Sequence, residues 1–249
     1  MLGIIIQARL GSTRLPYKMI KPFFGEKGIL EILLDRLIEA SLDTPLILAT
    51  TVRKEDDILA DIALQKNISV SRGEVNDVLR RFIDAANKSK LTHVIRICAD
   101  NPFLDVDALR YQIEQFQHSD VDYWCYSLSD GTPTIKTHYG FWSEAVKTSA
   151  LEKIAVLTHD PMYREHVTNF IYTHSDVFSI HKETISSHIE KQKLRLTIDT
   201  LEDFNNLKII YENVISKQIN TAADSLCRYI SGNEIWLEKM VEQINKNKK

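Results

Sequence analysis

Short β-branched and apolar runs alternate along this chain with longer segments in which apolar residues recur at helical spacing. "GIIIQA", "PLILATT", "ISVS", "HVIRICA", "DYWCYS" and "LRLTID" have strand composition. Between the first four stand "GILEILLDRLIEASL", where Ile29, Leu33, Leu37 and Ile38 share a face, then "KEDDILADIALQKN" and "NDVLRRFIDAANKS"; "VDALRYQIEQFQ" follows the fourth. Parallel strands cannot be joined by a tight turn and need a crossover segment, so this alternation specifies βαβ units. The expected class is α/β, with a mostly parallel, Rossmann-like sheet flanked by helices.

Beyond Ser127 the alternation weakens. "SLSDGTPTIKTHYGFW" is polar and turn-rich, and reads either as a small insertion covering a substrate or as a surface loop. "SEAVKTSALEKIA", "PMYREHVTNFIYTH", "TLEDFNNLKIIYENVI" and a region from Ala222 to Asn247 have helical pattern, and the closing "NKNKK" reads as a frayed, solvated end. No repeat or linker composition divides the chain, so residues 1–249 are expected to form one domain.

The sharpest local feature is "QARLGSTRLPYKMIKPF", which leaves the first predicted strand with Arg9, Arg14, Lys18 and Lys21 and no carboxylate before Glu26. Like charges repel, so such a loop implies an anionic visitor or simple hydration. Open α/β sheets place ligands beyond the carboxyl ends of their strands, where this loop begins. Gly11 permits close backbone approach, Ser12 and Thr13 offer hydroxyls, and Arg14 and Lys18 donate to phosphate oxygens. A polyphosphate fits. Neither G-x-x-x-x-G-K-[ST] nor a strand-following G-x-G-x-x-G is present, which disfavours a P-loop kinase and a dinucleotide dehydrogenase. The formal net charge of −3, with cations scattered outside this loop, provides no face for a nucleic-acid polymer. No run approaches the roughly 18 apolar residues of a membrane span, and no signal peptide is evident, so a cytoplasmic protein is expected. Cys98, Cys125 and Cys227 lack C-x-x-C spacing, which argues against a disulfide framework and a zinc site.

Two aspartates close predicted strands, Asp100 in "HVIRICAD" and Asp199 in "LRLTID". Aspartate at a strand end commonly caps a helix. Here Thr200 and Asp203 form a T-x-x-D box and Asp105 can cap the segment opening at Val106, which leaves Asp100 and Asp199 surplus to capping. A nucleoside triphosphate carries a hard cation that needs such carboxylates. The two "DVD" triplets, at 105–107 and 120–122, read as solvated acids, and Asp77 as a first-turn acid of its helix.

Taken in order, "IIQARLGSTRLPYKMIKPF", "RGEVNDVLRRFIDAA", "VIRICADNPFLD", "REHVTNFIY" and "LTIDTLEDF" resemble the cytidylyltransferases of the spore coat polysaccharide SpsF type. More distantly they resemble the acylneuraminate and 3-deoxy-manno-octulosonate cytidylyltransferases. The resemblance implies a nucleotidyltransferase sheet and Mg²⁺-dependent transfer of CMP from CTP, with release of pyrophosphate, to a sugar acid or a phosphorylated sugar or polyol for bacterial surface glycans. It assigns the nucleotide to Gln7, Ala8, Arg9, Gly11, Ser12, Thr13, Arg14, Lys18 and Arg72, catalysis to Arg14, Lys18, Asp100 and Asp199, and Mg²⁺ to Asp100 and Asp199. Arg72 is equally readable as part of a turn before a helix, and Arg164, Glu165 and His166 as acceptor-side or structural residues. The resemblance also makes 1–120 the nucleotide-binding half and 121–249 the acceptor-binding and dimerisation half of the single domain, and a homodimer is implied by resemblance alone. Two departures stand out: Tyr17 occupies a position where relatives commonly carry glycine, and "TIKTHYGFWSEAV" departs from the usual pattern, leaving the acceptor open. Two other readings are a sugar-1-phosphate nucleotidyltransferase using another NTP, such as GTP, and an inactive nucleotide-binding relative.

Overall fold

The structure, a computed structural model, describes residues 1–247. The sequence alternation appears as β1 (Leu2–Gln7), α1 (Ile29–Glu39), β2 (Leu46–Thr51), α2 (Asp57–Gln65), β3 (Ser69–Gly73), α3 (Val78–Lys88), β4 (His93–Cys98) and α4 (Val106–Gln117). Then follow β5 (Tyr123–Ser127), β6 (Glu144–Lys147), α5 (Thr148–Leu157), α6 (Pro161–Glu165), α7 (Asn169–Thr173), β7 (Ile180–Thr184), α8 (Ser187–Glu190), α9 (Leu201–Ser216), α10 (Ala223–Ser231) and α11 (Glu234–Lys246). The strands form one seven-stranded sheet in the order β3-β2-β1-β4-β6-β5-β7. β6 runs antiparallel to both its neighbours, and every other pairing is parallel. This is the α/β class expected.

Side-chain alternation along the strands divides the core. Ile4 and Ile6 of β1 join Leu48, Ile95 and Trp124 beneath α1, α4 and α9, whereas Ile5 joins Ile47, Val94 and Tyr123 beneath α3 and α5. Helix starts follow their sequence signals. Asp77 and Asp105 accept the amides of Arg80 and Ala108, and Thr200 and Asp203 close a capping box on α9. Asp77 is therefore the N-cap of α3 rather than an acid in its first turn.

Several expectations require correction. "LRLTID" is buried from Leu194 to Asp199 but is not a strand; its bonds go to loops, from Leu196 N to His138 O (2.8 Å) and from Ile198 N to Asp100 O (3.1 Å). The place beside β4 is taken by β6, at the start of the segment read as helix, so the helix there begins only at Thr148. Glu, Ala and Lys favour helices in isolation, but pairing on both edges overrides that preference. β7, the polar "IHKET", carried no strand signal because it is a partly exposed strand paired only with β5. "PMYREHVTNFIYTH" forms two short helices instead of one. The final region splits at Asn233, which caps α11. Of the closing "NKNKK", Asn245 and Lys246 belong to α11, and the last two residues lie outside the described residues.

Candidate active site

The basic loop leaves the carboxyl end of β1 as expected, and its apolar residues fix its shape. Leu10, Leu15, Met19 and Phe23 are buried in the core beneath it. Leu10 O accepts the amides of Ser12 (2.7 Å) and Tyr17 (3.2 Å), and Leu10 N donates to the buried Asp56 carboxylate at 2.7 Å. Asp56 also holds the Thr51 hydroxyl, so the loop is tied to the end of β2. Gly28 allows α1 to approach: a Cβ there would lie 2.5 Å from Met19 O. Tyr17 sits at φ +59°, a left-handed conformation that glycine adopts without strain, with its side chain exposed.

These anchors bring the cations to the two aspartates. Lys18, only 7% exposed, donates from Nζ to Asp100 Oδ2 (2.8 Å) and to Ile198 O (2.5 Å). Arg14 Nη2 donates to Asp199 Oδ1 at 2.8 Å. Asp199 is held from behind by the buried Arg195, whose Nη2 reaches Asp199 Oδ2 (3.1 Å) and Asp203 Oδ2 (2.7 Å). Asp203 also accepts the amides of Asp199 (3.0 Å) and Thr200 (2.9 Å). Burial alone would raise the Asp203 pKa, but hydrogen bonds and charge from Arg195 hold it below the usual carboxylate value. Arg195 Nη1 lies 2.6 Å from His138 Nδ1; a guanidinium can only donate, so Nδ1 accepts and the ring proton is placed on Nε2.

A second ionic group lies beneath the floor. Arg96 of β4 and Glu144 of β6 are directly opposed in the strand register and form a buried ion pair. Glu144 also accepts from the Tyr123 hydroxyl and from Thr168 Oγ1 (2.8 Å). Burial and then the Glu144 charge push the Tyr123 phenol well above its ordinary pKa, keeping it a donor.

Three adjoining clefts follow the strand ends. A 310 Å³ cleft is lined by Gln7, Ala8, Arg9, Ser12, Thr13, Arg14, Lys18, Asp100, Glu165, His166 and Asp199 of the expected residues. A 290 Å³ cleft on one side includes Gly11, Arg53 and Asn76 and shares Arg9, Thr13 and Glu165 with the first. A 600 Å³ cleft on the other side shares Arg14, Asp100, His166 and Asp199. Arg9 pairs with Glu165 at 2.7 Å where the first two meet.

Two expected residues stand apart from the clefts. Arg72 donates to Thr51 O (2.8 Å) and Arg53 O (2.8 Å) and pairs with Asp57 (2.6 Å); Arg164 donates to Ala155 O (3.0 Å) and pairs with Asp77 (3.4 Å). The reading of both "DVD" triplets as solvated acids holds only in part. Asp105 is 6% exposed and takes the amides of Ala108 and Ala223, Asp120 pairs with Lys147, and Asp122 holds Ser179. Sequence reasoning passed over Arg96, Asn101, Lys136, Trp142 and Thr197, all of which line the 600 Å³ cleft. Arg96 did carry a signal, as a cation inside the apolar "HVIRICA". Asn101 follows Asp100 and Thr197 lies two residues before Asp199, but their place in the cleft depends on the fold.

No group of three or more His, Cys, Asp or Glu side chains among the described residues forms a metal cluster. The clefts present hard carboxylate oxygens in pairs, together with cations suited to phosphate.

A family model described as "Cytidylyltransferase" matches residues 3–245. An uncharacterized protein of Methanocaldococcus jannaschii is 34% identical over 200 residues, covering 80% of this chain and 79% of its own. The spore coat polysaccharide biosynthesis protein SpsF of Bacillus subtilis is 32% identical over 213 residues, covering 84% and 85%. The solved structure of a cytidylyltransferase from Leptospira borgpetersenii superposes with a TM-score of 0.83 at 29% identity, covering 95% of this chain and 96% of that one.

Proposed function

The chain belongs to the cytidylyltransferase family, and on that premise we propose that it transfers CMP from CTP to a sugar-type acceptor, releasing pyrophosphate for surface polysaccharide synthesis. The observation that carries this reading is the pairing of Lys18 with Asp100 and Arg14 with Asp199 across one cleft at the strand ends. In the free protein these cations and acids neutralise one another, which limits repulsion in a site that must receive a polyanion. When the nucleotide binds, Arg14 and Lys18 turn to its phosphates and the two carboxylates are released. The amides and hydroxyls of Gly11, Ser12 and Thr13 border the triphosphate, while Arg9 and the neighbouring 290 Å³ cleft receive the nucleoside. Gln7 and Ala8 complete the wall beside β1. Arg72 supports this part indirectly, by holding Thr51 and Arg53 in place.

A divalent cation fits the donor set: Asp100 and Asp199 are hard oxygen ligands, and two carboxylates completed by phosphate oxygens and water suit Mg²⁺. When bound, the ion neutralises charge on the phosphates. Arg14 and Lys18 stabilise negative charge that grows on the departing pyrophosphate as an acceptor hydroxyl attacks the α-phosphorus in line. The acceptor occupies the 600 Å³ cleft, beside Asp100, Asp199 and His166. Glu165 pairs with Arg9, and Arg164 fixes the same segment against α3. A homodimer belongs to this reading, and sedimentation tests it.

The test is pyrophosphate release with each nucleoside triphosphate against sugar acids, sugar phosphates and polyol phosphates. Turnover with CTP alone is expected. Turnover confined to GTP or UTP, or binding of CTP without product from any acceptor, would count against the proposal.

A further inference from the structure

Nucleotidyl transfer takes place at one atom, the α-phosphorus, which must be reached from the acceptor cleft while it is still attached to the nucleotide. That atom therefore lies where the 310 Å³ and 600 Å³ clefts merge, among the residues that line both: Arg14, Arg96, Cys98, Asp100, His166 and Asp199. Of these two clefts, Arg9 and Lys18 line only the first and Lys136 only the second, so Arg14 and Arg96 are the arginine or lysine side chains at the junction. The two differ in kind. Arg14 is carried by the basic loop with its side chain 56% exposed, whereas Arg96 belongs to β4 and its side chain is 9% exposed.

Arg96 is fixed from behind. Nη1 donates to Glu144, which is 3% exposed, lines neither cleft and also accepts from the Tyr123 hydroxyl and from Thr168 Oγ1 (2.8 Å). The guanidinium carbon lies 5.9 Å from the centroid of the Phe82 ring. The rest of the group is poorly satisfied. Nη2 makes a long bond to Gln7 Oε1 (3.4 Å), on the wall of the 310 Å³ cleft, and Nε is buried with no hydrogen-bond partner among the described residues. A guanidinium carries five N–H donors, and buried donors are seldom left unpaired. Stability alone does not explain the arrangement, because a well-packed apolar pair of similar volume is often at least as stabilising as a buried ion pair. An anion at the junction supplies the missing acceptors, and its oxygens meet a planar fork that is already oriented.

We propose that Arg96 is a further catalytic residue, which holds the non-bridging oxygens of the α-phosphate while Arg14 and Lys18 hold the β- and γ-phosphates. This rests on the cytidylyl-transfer reading for the identity of the reaction and goes beyond it in naming the group that binds the reacting phosphoryl. In that step the acceptor hydroxyl oxygen forms a bond to the α-phosphorus, and the bond from that phosphorus to the oxygen bridging to the β-phosphate breaks. The electron pair leaves with pyrophosphate, and the hydroxyl proton passes to solvent. The non-bridging oxygens stay charged throughout, so a cation anchored in the sheet keeps the phosphorus in line while the loop cations follow the departing pyrophosphate.

The test is calorimetric titration of the full chain with cytidine, CMP, CDP and CTP at one fixed Mg²⁺ concentration, which reads each phosphate separately. Arg96→Met alone would leave the buried Glu144 carboxylate unpaired, so the main variant combines Arg96→Met with Glu144→Gln. In the parent, CMP is expected to bind roughly 10- to 100-fold more tightly than cytidine, the scale of one charge-assisted hydrogen bond. The double variant should lose most of that gain while keeping its cytidine affinity and the further gain from CMP to CTP; a merely structural Arg96 would leave the CMP gain intact. Arg96→Lys keeps a countercharge for Glu144, but one ammonium committed to that carboxylate has no fork for the phosphate. It should show the same loss, and it carries the test if the double variant fails to bind cytidine. An undiminished CMP gain in either cytidine-binding variant, or loss of cytidine affinity in both, overturns the proposal. Guanosine and uridine series run in parallel separate it from the transfer reading. Should GMP or UMP rather than CMP show the Arg96-dependent gain, the cytidine-specific reading falls and the role of Arg96 stands; should no nucleotide bind the parent, both fall.

Discussion

Replacing Glu144 with glutamine strips the countercharge from Arg96 while keeping the shape of the side chain. The two side chains are 9% and 3% exposed, and they face each other across the antiparallel β4–β6 pairing. Glutamine retains an oxygen for the Tyr123 and Thr168 hydroxyls, so the loss is chiefly that of a charge partner for a buried guanidinium. Breaking one side of a buried pair costs about 3–5 kcal/mol, and the retained hydrogen bonds place this case near about 3. Against a total stability of about 5–15 kcal/mol, that is a large fraction. Removing the orphaned charge should then reverse the loss: Arg96→Met in the Glu144→Gln background is expected to recover at least about 2 kcal/mol. The exposed Arg80–Asp84 pair, at 59% and 44%, supplies the control, and Asp84→Asn should change stability by less than about 0.5 kcal/mol. Equilibrium urea unfolding near neutral pH measures all four proteins. A Glu144→Gln protein within about 1 kcal/mol of the parent, or a double variant no more stable than the single, would refute both the burial argument and the strand register behind it.

Asp100→Asn and Asp199→Asn should each lower pyrophosphate release by at least about 100-fold, the upper scale for disrupting a metal site, with folding intact by circular dichroism; retained turnover in either counts against its role. Tyr17→Gly relieves a left-handed residue worth about 1–2 kcal/mol, offset by about 0.5–1 kcal/mol of added unfolded-chain entropy, so a small rise in Tm is expected, whereas Tyr17→Val should lower it. A Tm ordering with Val above Tyr contradicts the backbone argument. Asp203, with its folded pKa held by Arg195 below the ordinary aspartate value of 3.8, contributes stability that is present above that value and lost as pH falls through the lower folded one. Asp203→Asn should therefore be less stable near neutral pH and lose less on acidification below about pH 4, and an unchanged acid limb in urea unfolding would exclude the linkage.

The first four strands and their helices were legible because local pattern and tertiary role agree there: continuous apolar runs become doubly covered parallel strands, and helical periods become crossovers. The capping acids were legible for the same reason, since a cap is a contact between residues three apart. "LRLTID" shows the limit. Its burial was correctly implied by composition, but whether a buried segment pairs as a strand depends on what else competes for the sheet, and β6 occupies the place beside β4. Glu144 looked like a helix residue because its partner, Arg96, lies 48 positions away.

The sequence by itself determined the α/β class, the position of the basic loop at a strand end, and the surplus of two aspartates over those needed for capping. These are consequences of short-range chemistry. Only the tertiary structure decided that Lys18 meets Asp100 and Arg14 meets Asp199, that Arg195 braces Asp199 from behind, and that Arg96 meets Glu144 across the β4–β6 pairing. Such meetings join residues far apart in the chain, and loop closure and core packing select them where no local propensity can.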